Sequence, residues 1–328
     1  MRSKSLIQGL WLVAMLVAAS AKAQEVFPTR FITLVVPVAA GGPTDVLARR
    51  FAEPFSRSVG VPVVVSNVVG AGGAVAYRRV IDAAPDGYTA LFANVGITSA
   101  PTVLNRPELD PSERLDAMAM LGATPITLTV GSGVVAKTVP EFLKFAREKG
   151  DAVNMAHSGN GSGAHLNAVL FNSIAKLQPT YIPFQGAGPI LTALTAGQVD
   201  AYLGLTSTDV PLHNAGRVKI LAVSSRQRLP ALPDTPTMIE ANLPEFTANT
   251  WFGLFLPKGA SEQVVSAYQR AINAALQDPD YRKTVEQDFV SQLPDKEHAS
   301  RAGFTKFVKD EVAQWQSHLK GKLTPAQQ

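Results

Sequence analysis

Apolar residues run unbroken from Phe31 to Val38 (FITLVVPV), a β-branched stretch without alternation, which is the pattern of a strand covered on both faces in a parallel sheet. A helix from about Thr44 to Ser58 is predicted next, then an extended PVVVSN (Pro62 to Asn67), a glycine turn, a helix through about Ala84, and a strand YTALFAN (Tyr88 to Asn94). This β-α-β-α-β rhythm predicts a doubly wound α/β sheet.

The pattern resets after a loop-rich stretch from Pro101 to Pro111, which reads as a crossover. Strands are predicted at Ile126 to Gly131, Val153 to Ser158, Pro179 to Phe184 and Val199 to Leu205. Helices fall between them at Val139 to Lys149, Gly163 to about Lys176, and GPILTALTAG. These elements make a second α/β unit, and two lobes are expected. Beyond it lie KILAVSS (Lys219 to Ser225), a Pro-rich RLPALPDTPTM, one apolar strand WFGLFLP (Trp251 to Pro257) and a helical region from Ser261. Those strands are too few for a third sheet, so the C-terminal part is expected to return to the first lobe. The expected division is 24–124 with 222–328 for lobe 1 and 125–221 for lobe 2.

The first residues change the picture of where this fold works. Arg2 and Lys4 precede an apolar run from Leu6 to about Ala19, followed by Ala21-Lys22-Ala23, which fits an A-x-A cleavage site. The run is about 14 residues, short of the roughly 20 that span a bilayer. Residues 1–23 therefore read as a secretory leader, with the mature chain beginning at Gln24 in the periplasm. Removing Arg2, Lys4 and Lys22 lowers the basic count from 30 to 27 against 26 acidic residues, so the mature net charge is +1 and a polyanionic partner is not indicated. Arg49-Arg50 and Arg78-Arg79 sit inside predicted helices without aromatic interleaving, as solvated faces do, and no nucleic-acid site is expected. At 328 residues the chain can bury a sizeable core. It contains no cysteine, which excludes disulfides, thiolate catalysis and Cys-based metal sites.

Glycine separates strand from helix at AAGGPTD (Ala39 to Asp45), VVGAGGAVA (Val68 to Ala76) and HSGNGSGAH (His157 to His165). Such junctions expose backbone N–H groups at the positive end of a helix dipole and suit carboxylates or phosphates. A glycine-rich turn in each lobe points to a ligand held in the cleft between them. Gly70-Ala71-Gly72 resembles the start of a dinucleotide fingerprint, but Val75 stands where its third glycine belongs, and no Gly-Lys-Ser or Gly-Lys-Thr supports a P-loop. Five histidines without H-E-x-x-H offer no zinc motif. Neither a cofactor nor a metal is expected. A hydrolase working through Ser162 or Ser158 with His165 and Asp200 is an alternative whose geometry sequence does not measure. Trp251, Phe252, Phe255, Tyr181 and Tyr202 read as core residues.

Taken together, VPVAAGGPTDVLAR, GAGGAVA, APDGYTALFAN, HSGNGSGAHLNAVLF, YIPFQGAGPILTALTAGQVDAYL, GRVKILAVSSRQRLPALPDTPTMIEANLPEF and WFGLFLPKGA resemble the substrate-binding proteins of tripartite tricarboxylate transporters, the Bug family. The resemblance runs from about residue 31 to 260. It implies a two-lobed, type II binding-protein fold, capture of a small organic acid, delivery to membrane permease subunits, and a monomer without enzymatic activity. A receptor that senses the ligand for a membrane signalling partner is an alternative with the same pocket. Carried over residue by residue, the carboxylate-holding loops are Val38 to Asp45, including the Ala39, Ala40 and Gly41 amides, and Ser158 to His165. Thr44, Asp45, Ser158, Asn160, Gly161, Ser162 and His165 are the principal positions. Asn67, Gly72, Gly73, Asn94, Phe184, Gln185, Gly186 and Asp200 are their neighbours. Three positions depart from the family: it often has Asn-Arg-Pro at Asn67-Val68-Val69, Tyr-Lys-Gly at Phe184-Gln185-Gly186, and an acid near Gly204. For Asp45 two roles stay open, a cap on the helix amides or a contact to a donor on the ligand.

Overall fold

A computed structural model describes residues 27–319. The expected leader and its cleavage point lie outside the described residues. In chain order the first elements are β1 (Ile32–Val36), α1 (Pro43–Val59), β2 (Val63–Asn67), α2 (Ala74–Ile81), β3 (Thr89–Asn94), α3 (Gly96–Val103), α4 (Pro111–Arg114) and β4 (Leu115–Val130). There follow α5 (Val139–Lys149), β5 (Asn154–His157), α6 (Gly163–Ala175), β6 (Thr180–Pro183), α7 (Ala187–Thr195), β7 (Ala201–Leu205), α8 (Thr206–Asn214) and β8 (Lys219–Val223). The chain then forms β9 (Asn249–Pro257), α9 (Glu262–Gln277), α10 (Pro279–Lys283) and α11 (Arg301–Leu319). Among the described residues no helix is long and apolar enough to cross a membrane.

Local rules account for α1. Pro43 presets the first helical turn, Leu47, Ala48, Phe51, Ala52 and Phe55 line one face, and Gly60 ends the helix at φ 80°, its N–H donating to Ser56 O. That face packs with Phe92, Leu254 and Tyr268 in one core, where each large side chain contributes about 1.5–3 kcal/mol by leaving water. Tyr77, Val95, Ile97, Trp251 and Phe304 form a core on the opposite side of the same strands.

The strands join in the order β2-β1-β3-β9-β4-β7-β5-β6, with β8 also on β4. Strand β4 belongs to both halves of this sheet: Leu115 to Pro125 pair with β9, and Ile126 to Val130 pair with β7 and β8. The register fixes where the two halves meet. Asn94, the end of β3, lies opposite Phe252, and Phe252 lies opposite Gly122. Leu205, the end of β7, lies opposite Ile126. The carboxyl ends of the parallel strands in both halves therefore point at the middle of β4, the place where open α/β sheets bind ligands.

Two expectations need correction. The strand expected at Ile126 to Gly131 is the last part of a longer one, because β4 begins at Leu115. The second half also extends past residue 221: β8 pairs with Thr127 to Val130, and Met238, Leu243 and Phe246 pack with Leu128, Phe142 and Phe171. The expected boundary at 221/222 would cut β8 within its own ladder.

Candidate functional site

Three loops leave the strand ends of the first half. After β1, Ala39, Ala40 and Gly41 are exposed, and α1 begins with Gly42 at its N-cap. Asp45, only 2% exposed, reaches back from the first turn. Its Oδ2 accepts from Gly41 N at 2.9 Å and from Arg49 Nε at 3.0 Å, and its Oδ1 accepts from Asn67 Nδ2 at 2.8 Å. Arg49 also reaches Oδ1 at 3.0 Å, so the pair is bidentate. Asn67 donates to Val38 O at 3.0 Å, and its own oxygen accepts from Arg49 at 3.0 Å. Burial works to raise the Asp45 pKa, but the bonds from Arg49, Gly41 and Asn67 and the guanidinium charge outweigh it and hold the carboxyl below its usual range.

Asp45 and Asn67 thus brace the β1 loop. The expectation that every amide from Ala39 to Thr44 is free for a ligand needs correction at Gly41, whose N–H is taken by Asp45. Among the described residues, the amides of Ala39, Ala40 and Thr44 have no protein acceptor within hydrogen-bond distance, while Gly42 closes a turn on Ala39. Asn94, at the end of β3, donates to Thr44 Oγ1 at 3.2 Å and accepts from Gly96 N at 3.0 Å, so the loop after β3 is tied to the start of α1.

The second half contributes the turn between β5 and α6. Ser162 caps α6, its Oγ accepting from His165 N at 3.2 Å. His165 is 1% exposed, and its Nδ1 accepts from Gly161 N at 3.2 Å, which leaves the proton on Nε2. Its ring lies 4.5 Å from that of His157. Burial, with a smaller push from His157, drives the His165 pKa down to about 4; burial also lowers that of His157. Both imidazoles are neutral at pH 7 and fasten the loop from behind. Ser158 is half-buried and Asn160 exposed beside them. The neighbouring β6 loop holds exposed Gln185 between half-buried Phe184 and Gly186, the last at φ 107° as N-cap of α7. Phe184 N donates to His157 O at 2.8 Å, linking the two turns.

The two halves touch through these loops. A methyl group added at Gly72, which has φ 63°, would sit 2.6 Å from Asn160 O, and one at Gly163 would sit 3.0 Å from Val95 Cγ1. Leu166 and Val169 of α6 pack with Tyr77 and Val103 of the first half. The tyrosine ring also crowds Gly73, where an added methyl would meet its hydroxyl at 2.6 Å. The Gly72 turn and the β5 turn thus meet directly at the junction of the two halves.

Asp200 does not join them. It precedes β7 at the end far from the junction, about 16 Å along the strand from Leu205. There its carboxylate accepts from Lys149 Nζ at 2.8 and 2.9 Å and from Asn154 N at 2.8 Å. The hydrolase alternative loses its geometry as well: Ser162 Oγ faces a backbone amide, His165 Nδ1 faces Gly161, and Asp200 is remote.

Arg49 is the functional neighbour that sequence reasoning passed over as a solvated face. The signal was available in the four-residue spacing from Asp45 to Arg49. Asp209 was also missed. It is fully buried and accepts from Thr127 Oγ1 and Thr129 Oγ1, both at 2.6 Å, and from Thr208 Oγ1 at 2.8 Å. Burial raises its pKa, against the three hydroxyl bonds. A methyl group on Gly204 would run into this carboxylate, so the acid that the resemblance places near Gly204 arrives from α8. Among the described residues no group of three or more His, Asp or Glu could hold a metal.

Comparison with known proteins adds independent findings. Residues 47–322 match the family model described as tripartite tricarboxylate transporter family receptor. The chain is 31% identical over 313 residues to the protein BugT of Bordetella pertussis, covering 94% of this chain and 93% of that one. Among solved structures it is similar to MatC of Rhodopseudomonas palustris with bound malate, with a TM-score of 0.83 and 34% identity over 89% of this chain and all of the other. The periplasmic binding protein BugD matches with a TM-score of 0.83 and 30% identity, covering 90% and 98% of the two chains. A second R. palustris protein, solved with adipate, matches with a TM-score of 0.82 and 28% identity, covering 90% and 98%.

Proposed function

This chain belongs to the family of tripartite tricarboxylate transporter receptors, which are solute-binding proteins rather than enzymes, and we propose that it captures a small organic acid in the periplasm and presents it to membrane permease subunits as a monomer. The proposed lobes are residues 27–124 with 250–319, and 126–248. Residues 1–23 serve as the cleaved leader. One observation supports the reading: the first half, whose loop before α1 carries uncommitted amides, meets the capped, glycine-rich turn before α6 at the Gly72 turn. The malate and adipate held by its structural neighbours are the same chemistry.

A ligand carboxylate accepts from the Ala39, Ala40 and Thr44 amides on one side and from the Ser158 to Gly163 turn on the other. The proposed contacts are these residues together with Asn160, Gly161, Ser162, Gly72 and Gln185. Arg49 is already paired with Asp45, so neutral donors carry the recognition, each charge-assisted bond contributing about 1.5–3 kcal/mol. Closure follows because only the closed form offers both sets of donors. A thermal-shift screen of mono- and dicarboxylates tests this. At about 100 times its dissociation constant a true ligand adds roughly 2.7 kcal/mol of stability, a plain upward shift in Tm. Silence across a broad panel would remove the support for carboxylate capture.

A further inference from the structure

The C-terminal region crosses the junction between the two halves at one short segment, 284–292. Thr284–Asp288 form a π-helical turn, after which Phe289 is buried in the first-half core, the cluster that also holds Phe51, Phe92 and Tyr281. The next residue, Val290, has φ 47° and packs against the second-half cluster of Val210, Ile220, Val223 and Leu229. A β-branched side chain in the left-handed region is an outlier, because its branches crowd the backbone there. π-Turns and strained residues both persist only where surrounding contacts over-determine them.

Those contacts come from both halves. On the first side Ala123 and Gln292 exchange backbone bonds at 2.9 and 2.8 Å, and Thr124 Oγ1 bonds Ser291 Oγ, which in turn donates to Phe289 O at 3.0 Å. On the second side Thr206, the first residue of α8, donates its hydroxyl to Phe289 O at 3.0 Å and to Val290 O at 3.4 Å. Thr124 is on the β9-paired part of β4, and Thr206 follows Leu205, which faces Ile126 two residues further along. Rotation of one half against the other must therefore act on the bonds at Phe289 and Val290.

We propose that segment 284–292 is a strap that sets the balance between open and closed forms, with Thr206 and Val290 as its positioning residues. The Thr206 bond holds the strap to the second half in the closed form, and the Val290 backbone opposes it. The proposal rests on the two-lobe reading above, but not on which ligand is bound. Absence of strain relief at Val290 on opening would leave the residue with no reason to resist closure, and substitution would then shift nothing.

The absence of cysteine allows a clean test without ligand. In the full mature chain, Arg79→Cys and Gln178→Cys place one nitroxide label on an exposed site in each half. Pulsed EPR then reads the inter-label distances. Val290→Gly and Val290→Asn, which accept the left-handed backbone, are expected to raise the ratio of closed to open form about fivefold. Val290→Ala, which keeps the backbone conflict, should not, and Thr206→Val should lower the ratio. Cooperative melting of each variant verifies folding, and the glycine and asparagine variants decide the matter if Thr206→Val does not fold. Distributions unchanged in every folded variant, or opening by Val290→Gly and Val290→Asn, would overturn the strap. Failure of carboxylate capture would appear in the thermal-shift screen and leave these distances as they are.

Discussion

Asp45 illustrates how a single carboxylate can brace a glycine-rich loop. Both of its oxygens are occupied by Gly41, Arg49 and Asn67 in a nearly solvent-free position. Asp45→Asn turns an acceptor into a donor facing other donors, and the expected cost is about 2 kcal/mol in denaturant unfolding. The rank order of ligands should stay as in the wild type; a reordered ligand preference with unchanged stability would instead make Asp45 a ligand contact. His165 yields a prediction in pH. Its folded pKa of about 4 lies below the ordinary 6.5, so the folded state binds fewer protons than the unfolded state between these values. Its contribution is complete above pH 6.5, declines as pH falls, and is lost below about 4. A shift of this size corresponds to about 3 kcal/mol. His165→Gln, which retains an acceptor for Gly161, should flatten that part of the stability curve; a parallel curve would show that His165 does not titrate there.

Elements with strong local signals were legible in the sequence, and those defined by long-range pairing were not. The β1-α1 unit was readable because an unbroken β-branched run is followed by glycine, proline and an amphipathic helix. The first part of β4 was not, since Leu115 to Pro125 is rich in alanine and methionine and includes Gly122 and Pro125, which weaken strand propensity. It is a strand because β9 pairs along it and both faces are covered. Asp200 was placed at the site by resemblance and as a triad partner, and strand direction puts it at the wrong end of β7. At the same scale, Gly72 controls how close the two turns approach. Gly72→Ala adds a methyl group 2.6 Å from Asn160 O at a left-handed backbone. Ligand affinity should fall by at least about tenfold, or roughly 1.4 kcal/mol, and the melting temperature without ligand should fall as well, since alanine is strained at a left-handed backbone. Titration calorimetry checks the first and calorimetric melting the second; unaltered affinity would separate this turn from closure.

For the whole molecule, the recurring α/β rhythm was enough to foresee two lobes; of the two strands left beyond them, β8 joins β4 in the second half and β9 joins β3 and β4. The inter-lobe geometry was beyond reach of local patterns, since it follows from one 16-residue strand shared by both halves of the sheet. That sharing turns the carboxyl ends of two sets of parallel strands toward each other and makes a pincer of two glycine-rich turns. Proposed capture by amides and hydroxyls favours a full negative charge on the ligand, because charge-assisted hydrogen bonds are roughly twice as strong as neutral ones. Titration calorimetry of each acid that raises the melting temperature, beside the neutral amide of the same carbon skeleton, measures this preference. Two-lobe carboxylate capture predicts saturable heat with the acid and a loss of at least about 100-fold in affinity with the amide, roughly 2.7 kcal/mol. Equal binding of acid and amide, or binding of neither, would contradict it.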